Sequence, residues 1–230
     1  MLFALCGACN EKPSESKDRA DTGVAEPCSG VFEGDYFVRD QEELNALAEY
    51  CEVTGSLSVY GSSLTSLSLP QITAVGGALS VLNNDSLTSF SLPDLKIVGD
   101  SVTVEDNDLL ALFTLPALTE VGEGQYDNVF IKHNDALTAF DLSALTRVSG
   151  SLFVRFDAAL TSFDLSALTG LGGFLGMTDN ENLAQCLVDA LVAQVESGEG
   201  IGDGVDNTGG PNNPACTCEE VEGVLQANCP

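Results

Sequence analysis

"VGGALSVLNNDSLTSFSLPDLKI", Val75 to Ile97, places its apolar residues at 75, 79, 81, 87, 90, 92 and 95. A helix would space them by about 3.6 residues and a single strand by about two. The stretch keeps neither rhythm throughout. The next 23 residues, "VGDSVTVEDNDLLALFTLPALTE" (Val98 to Glu120), repeat it position for position. Val75 maps to Val98, Leu79 to Val102, Val81 to Val104, Asn84 to Asn107, Leu87 to Leu110, Phe90 to Phe113 and Pro93 to Pro116. The register runs back to Val53 and forward through Val121, Val148 and Leu171, with four extra residues near "GQYD". Six rungs result, starting at 53, 75, 98, 121, 148 and 171.

A fixed period in the low twenties marks a solenoid, in which each turn buries its apolar face only against its neighbours. Solenoids of paired helices have longer periods, so these rungs are built of strands. G-x-L-x-V alternates with period two, "LTSFSL" supplies a second extended side, and Pro, Asn and Asp make corners. The expected fold is mainly β: a parallel β-helix or solenoid of about six rungs with short capping helices at both ends. The first cap is a helix near residues 41–50, where Asp40 and Glu43 have capping-box spacing and Leu44, Leu47 and Ala48 form one apolar stripe. In the second, Asn182 and Gln185 open a helix with Leu183, Leu187, Leu191 and Val195 on one face, and Gly198 ends it.

The chain has 230 residues, 44% hydrophobic and 19% charged, enough for one domain with a substantial core. Its formal net charge of −27 argues against nucleic acid and anionic membrane surfaces as partners, since phosphate contacts need Lys and Arg. No apolar run is long enough to span a bilayer.

The cysteines suggest an address. "LFALCGACN" resembles the end of a signal peptide with a bacterial lipobox, the small pair Gly7-Ala8 preceding Cys9 as the lipidated residue. With Cys6 removed and Cys9 lipidated, Cys28, Cys51, Cys186, Cys216, Cys218 and Cys229 remain, an even number for disulfides. A Cys28–Cys51 bridge would close the N-terminal cap, worth about 3 kcal/mol in the loop-entropy model. Cys186 is expected to pair with Cys216 or Cys218, the other member joining Cys229. The resulting segments are a signal and lipobox remnant (1–9), a polar tether (10–27), the capped solenoid (28–198) and a Cys-containing tail packed on the C-terminal cap (199–230). The expected location is the bacterial cell envelope, as an outer-membrane or surface lipoprotein whose only membrane contact is the lipid.

The opening "C-x-G…YFVRDQEELNALAEYCEVTGSLSV", followed by repeated V-G-x-L-x-V and L-P-x-L elements, resembles the receptor L-domain. That family is the leucine-rich, right-handed β-helix of insulin-receptor-type and epidermal-growth-factor-receptor-type ectodomains. The resemblance spans roughly Cys28 to Leu191. It implies the right-handed sense and a binding or scaffolding role outside the cell. No furin-like module or kinase accompanies it here, so it implies no signalling mechanism.

Catalysis finds little support in the residues. A carbohydrate-active β-helix enzyme is the alternative function, because Asp85, Asp108, Asp135 and Glu181 follow the corner residues Asn84, Asn107, Asn134 and Asn180. Asn and Asp at a repeated corner are equally explained by turn bonds and tolerance of left-handed backbone. His133 is the only histidine, and no nucleophile-base motif accompanies it. The Asp203, Asp206, Asn207 spacing is only faintly like a calcium loop and lacks a bidentate Glu, so neither metal nor cofactor is expected. The threonine column at 65, 88, 138 and 161 is interrupted by Ala111 and reads as a surface ladder.

What remains is a surface. Residues between the inward positions of G-x-L-x-V point out, which sets Phe130 beside Phe153 and Lys132 beside Arg155 on adjacent rungs. Outward aromatics flanked by cations make these four the candidate ligand-binding residues. The expected function is noncatalytic recognition or scaffolding at the cell surface, with an extracellular protein or glycan as partner.

Overall fold

The computed structural model describes residues 30–206, 212–213, 215, 217–221 and 224–228. They form the expected solenoid, built of parallel sheets with one strand per turn in each. Each repeat has three sides rather than the two expected. The first sheet runs Gly30–Phe32, Tyr50–Val53, Ala74–Val75, Ile97–Val98, Glu120–Val121, Arg147–Val148, Gly170–Leu171 and Gly200–Ile201. The second runs Tyr36–Val38, Leu57–Tyr60, Leu79–Leu82, Val102–Glu105, Val129–Lys132, Leu152–Arg155, Phe174–Thr178 and Gly204–Val205. The third comprises Ser66–Ser68, Ser89–Ser91, Leu112–Thr114, Ala139–Asp141 and Ser162–Asp164. Most first-sheet strands are two residues long, too short to show a periodicity of their own.

Register is strict, so like sits on like. Leu57, Leu79, Val102, Val129, Leu152 and Leu175 form one buried second-sheet column, and Val59, Val81, Val104, Ile131, Val154 and Met177 the next. In the third sheet the inward column becomes a stack of rings. Phe90, Phe113 and Phe140 lie parallel with centroids 4.9 and 5.4 Å apart, and Phe163 continues the stack at 5.9 Å. Those separations approach the strand spacing of about 4.8 Å, so the stack adds ring contact to area burial without bending the sheet. Glycine opens the close corners: a Cβ on Gly99 would run into the carbonyl oxygen of Gly76 on the preceding rung.

The corner asparagines correct the local-turn reading. The left-handed residues are their predecessors, Asn83, Asp106, His133, Phe156 and Asp179, with φ between 54° and 61°. Asn84, Asn107, Asn134 and Asn180 are themselves fully buried and bond from rung to rung. Asn107 is representative: Nδ2 donates to the Val81 carbonyl at 3.0 Å and to Asn134 Oδ1 at 3.0 Å, while its Oδ1 accepts the Asn84 backbone N–H at 3.1 Å. The column runs from Ser62 N–H through Asn84, Asn107, Asn134, Asp157 and Asn180 to Asn212. Such a chain satisfies buried backbone groups that water cannot reach. Threonine is used similarly at the surface: the hydroxyls of Thr88, Thr138 and Thr161 each donate to the carbonyl one rung back.

Helix α1 (Gln41–Leu47) has Asp40 as N-cap, its Oδ1 accepting from Glu42 and Glu43 N–H at 3.0 Å. Glu43 reaches back one residue further than in a standard capping box, accepting from Arg39 N–H at 2.6 Å. Helix α2 (Gln185–Ser197) begins after Ala184, which supplies no side-chain cap, so Asn182 does not open it. Its buried residues are Val188, Leu191 and Val195, with Leu187 partly buried, and Gly198 ends it as expected. Gln194 Nε2 closes the solenoid end by donating to the Leu165 and Leu168 carbonyls at 2.9 and 2.8 Å. Beyond α2, Thr217–Val221 and Val224–Asn228 form an antiparallel hairpin, joined to the helix by the Cys186–Cys218 disulfide. That selects one of the two expected pairings. Cys51 is disulfide-bonded as well. Cys9, Cys28, Cys216, Cys229 and Asn207 lie outside the described residues, as do the lipobox and tether.

Candidate recognition face

The outward side of the second sheet is two columns wide. One column holds Phe37, Ser58, Ser80, Thr103, Phe130, Phe153 and Gly176 in register. The other holds Tyr60, Leu82, Glu105, Lys132, Arg155 and Thr178. Both follow from alternation, since the inward neighbours are buried from Val38 onward and Tyr36 before it is partly buried.

The four expected residues come together as the register requires. Phe130 and Phe153 stack with centroids 5.7 Å apart and planes 13° from parallel. Arg155 lies 4.6 Å from the Phe153 centroid, and Lys132 Nζ 5.9 Å from that of Phe130. Both rings are half-buried. Gly176 on the next rung explains part of that: a side chain there would collide with the Phe153 ring and crowd the Arg155 guanidinium. The cations are also occupied. Lys132 pairs with Glu105 at 2.8 Å, the residue beside it one rung back, and Arg155 pairs with Asp206 beyond the last repeat. This end therefore presents flat aromatic and guanidinium surface with its charge compensated.

A second part of the face was not singled out from the sequence. Phe37, Arg39, Ser58, Tyr60, Ser80 and Leu82 line a concavity of about 340 Å³ near the N-terminal end. Phe37 and Tyr60 are 53% and 58% exposed. The hydroxyl-bearing Ser58, Ser80 and Thr103 form a low floor between Phe37 and Phe130, which stand four rungs apart, a span of about 19 Å at the spacing of parallel strands. Arg39 is held by Glu43 at 2.9 Å, so this cavity too has little uncompensated positive charge. Tyr60 was legible as an outward residue, but Phe37 precedes the first counted rung at Val53. What concealed the site was its position on the first, least regular rungs. Tyr126, 82% exposed, projects from the insertion on the same rung as Phe130.

Asp85, Asp108, Asp135 and Glu181 stand on an exposed corner. Among the described residues, no three His, Cys, Asp or Glu side chains are grouped to hold a metal. His133 is exposed at its left-handed corner and stacks on Phe156, centroids 4.9 Å apart and planes 6° from parallel. Among the described residues no helix is long and apolar enough to cross a membrane. No family model matches the chain, and searches of curated proteins and of solved structures returned no significant match.

Proposed function

We propose that the protein is a noncatalytic recognition module that binds a protein or glycan through the outward face of its second sheet. The observation that carries this reading is the distribution of aromatic side chains: Phe37 and Tyr60 around a cavity, Phe130 and Phe153 stacked further along, with serine and threonine between. Aromatic faces with nearby hydroxyls suit the apolar faces and hydroxyl edges of sugar rings, and exposed aromatics on a rigid scaffold suit protein partners. With Lys132, Arg155 and Arg39 already paired to carboxylates, a neutral, hydroxyl-rich ligand fits better than a polyanion.

Membership of the receptor L-domain family is part of the same proposal. It is supported by the solenoid, the capping helix near its start and the disulfide-bonded Cys51 that follows that helix. So is the address: a lipoprotein of the bacterial envelope, anchored through Cys9, displaying the solenoid on the tether of residues 10–27.

A glycan array and a surface-protein pull-down with the Cys9→Ser chain test the reading. Binding that weakens when Phe37, Tyr60 or Phe153 is changed to Ala supports it. Undiminished binding by all three variants would move the site elsewhere, and turnover of a bound polysaccharide would replace it with the enzymatic alternative.

A further inference from the structure

In the buried corner column, five asparagines use one amide hydrogen identically. Asn84 donates Nδ2–H to the Val59 carbonyl, Asn107 to Val81, Asn134 to Val104, Asn180 to Val154 and Asn212 to Met177, at 2.7 to 3.1 Å. Those acceptors form one column of the second sheet, in which Ile131 stands between Val104 and Val154. The rung that should donate to Ile131 carries Asp157 instead. Its Oδ1 is fully used, accepting the Asn134 backbone N–H at 2.9 Å and Asn134 Nδ2–H at 3.1 Å. Its Oδ2 is buried without a hydrogen-bond partner, on a residue with no exposed surface.

By the ladder's register, Oδ2 occupies the place of an amide nitrogen. The same register makes its neighbours the Ile131 carbonyl oxygen, the counterpart of the Val104 and Val154 acceptors, and Asn180 Oδ1, which accepts the Asp157 backbone N–H at 3.1 Å. An ionised carboxylate there would set a full negative charge against two acceptors in a dry corner. A protonated one supplies the missing donor. We propose that Asp157 is a proton-binding site: it completes the ladder as a neutral acid, and its ionisation loosens the corner at Phe156.

The electrostatic surroundings agree. Burial raises the Asp157 carboxyl to about 7, against the opposing hydrogen bonds from Asn134, and the charge of Asp135 adds to the rise. The other titratable groups near this corner are Asp179 and Glu181 on the next rung, both acidic, and His133 on the exposed column beside Phe156. Arg155 and Lys132 lie outward and belong to Asp206 and Glu105. The folded group binds its proton more tightly than an unfolded aspartate, whose value is about 3.9. Stability from the closed ladder is therefore complete below about pH 4 and is lost as pH rises through about 7. Phe156 lies next in the chain with φ of 60°, a strained conformation for a bulky residue. Its corner adjoins Phe153 and Arg155. That ionisation would also alter binding is the one consequence resting on the recognition reading.

The test compares the full chain with Asp157→Asn, which restores the amide. Melting temperatures are measured from about pH 4 to about pH 8.5. The variant should melt at least about 5 °C above wild type at the alkaline end, converging with it at the acidic end. Parallel curves would overturn the proposal. A wild-type carbon-13 titration of the Asp157 carboxyl decides independently of whether the variant folds. A midpoint near neutrality supports the proton site, and one below about pH 5 defeats it. Neither measurement involves a ligand, so failure of the recognition reading would leave both intact.

Discussion

Val154 and Phe153 are neighbours in the chain and opposites in role. Val154 is fully buried in the second-sheet column, so Val154→Ala should cost about 2 kcal/mol through the cavity it leaves. Phe153 leans over Gly176 at the surface, and Phe153→Ala should cost well under half of that. Denaturant unfolding of the two variants checks the contrast, and equal losses would show the ring to be core rather than contact surface. Asn134→Ala should be worse than either, because it strands buried backbone and side-chain groups on two rungs; about 3 kcal/mol is expected, against less than about 0.5 for exposed Asp135→Ala. The asparagine column was visible in the sequence, but its meaning was not. Repetition shows that a residue is required without showing whether its partner is local or one turn away. Asp157 was hidden for a related reason: "FDA" on the fifth rung replaces "HND" on the fourth, and the substitution gains significance only when the column is known to be buried.

At the scale of elements, the G-x-L-x-V strands and the phenylalanine-bearing strands were legible because each is long enough to show alternation. The two-residue strands such as Ile97–Val98 were not, and they account for the extra side of each turn. Their corners depend on close backbone approach. Gly99→Ala should lower stability by roughly 2 kcal/mol or more, since the carbonyl it would meet belongs to the neighbouring rung and can move only with it. A thermal melt against Gly61→Ala separates clash from conformation. Gly61 has a φ of 57° with nothing near its Cβ, so its loss should be confined to backbone strain of about 1 kcal/mol. Helix α2 was placed correctly but its start was not, because Ala184 begins it without a capping side chain. Disulfide mapping of a non-reduced digest should recover Cys186 with Cys218, and Cys186 with Cys216 would contradict the arrangement of helix and hairpin.

Across the whole molecule, the pairing of Phe130 with Phe153 could be read from the repeat, as could the position of Glu105 beside Lys132. Asp206 could not, since it comes from beyond the last repeat and reaches Arg155 only through the fold. The lipid anchor belongs to this scale as well. Metabolic labelling with a clickable palmitate should tag the wild-type protein expressed in a bacterium and leave Cys9→Ser unlabelled. The repeat itself has a further consequence. The four extra residues on the fourth rung leave the strand register on either side intact, so the corner absorbs length that the sheets never feel. Each turn meets only the turn before and the turn after. Copying residues 98–120 in tandem would therefore offer the old neighbours the same apolar columns, the same ring and the same amide, and lengthen the rod by one strand spacing, about 4.8 Å. A molecule made this way can change its reach by duplication while every existing contact is conserved in kind.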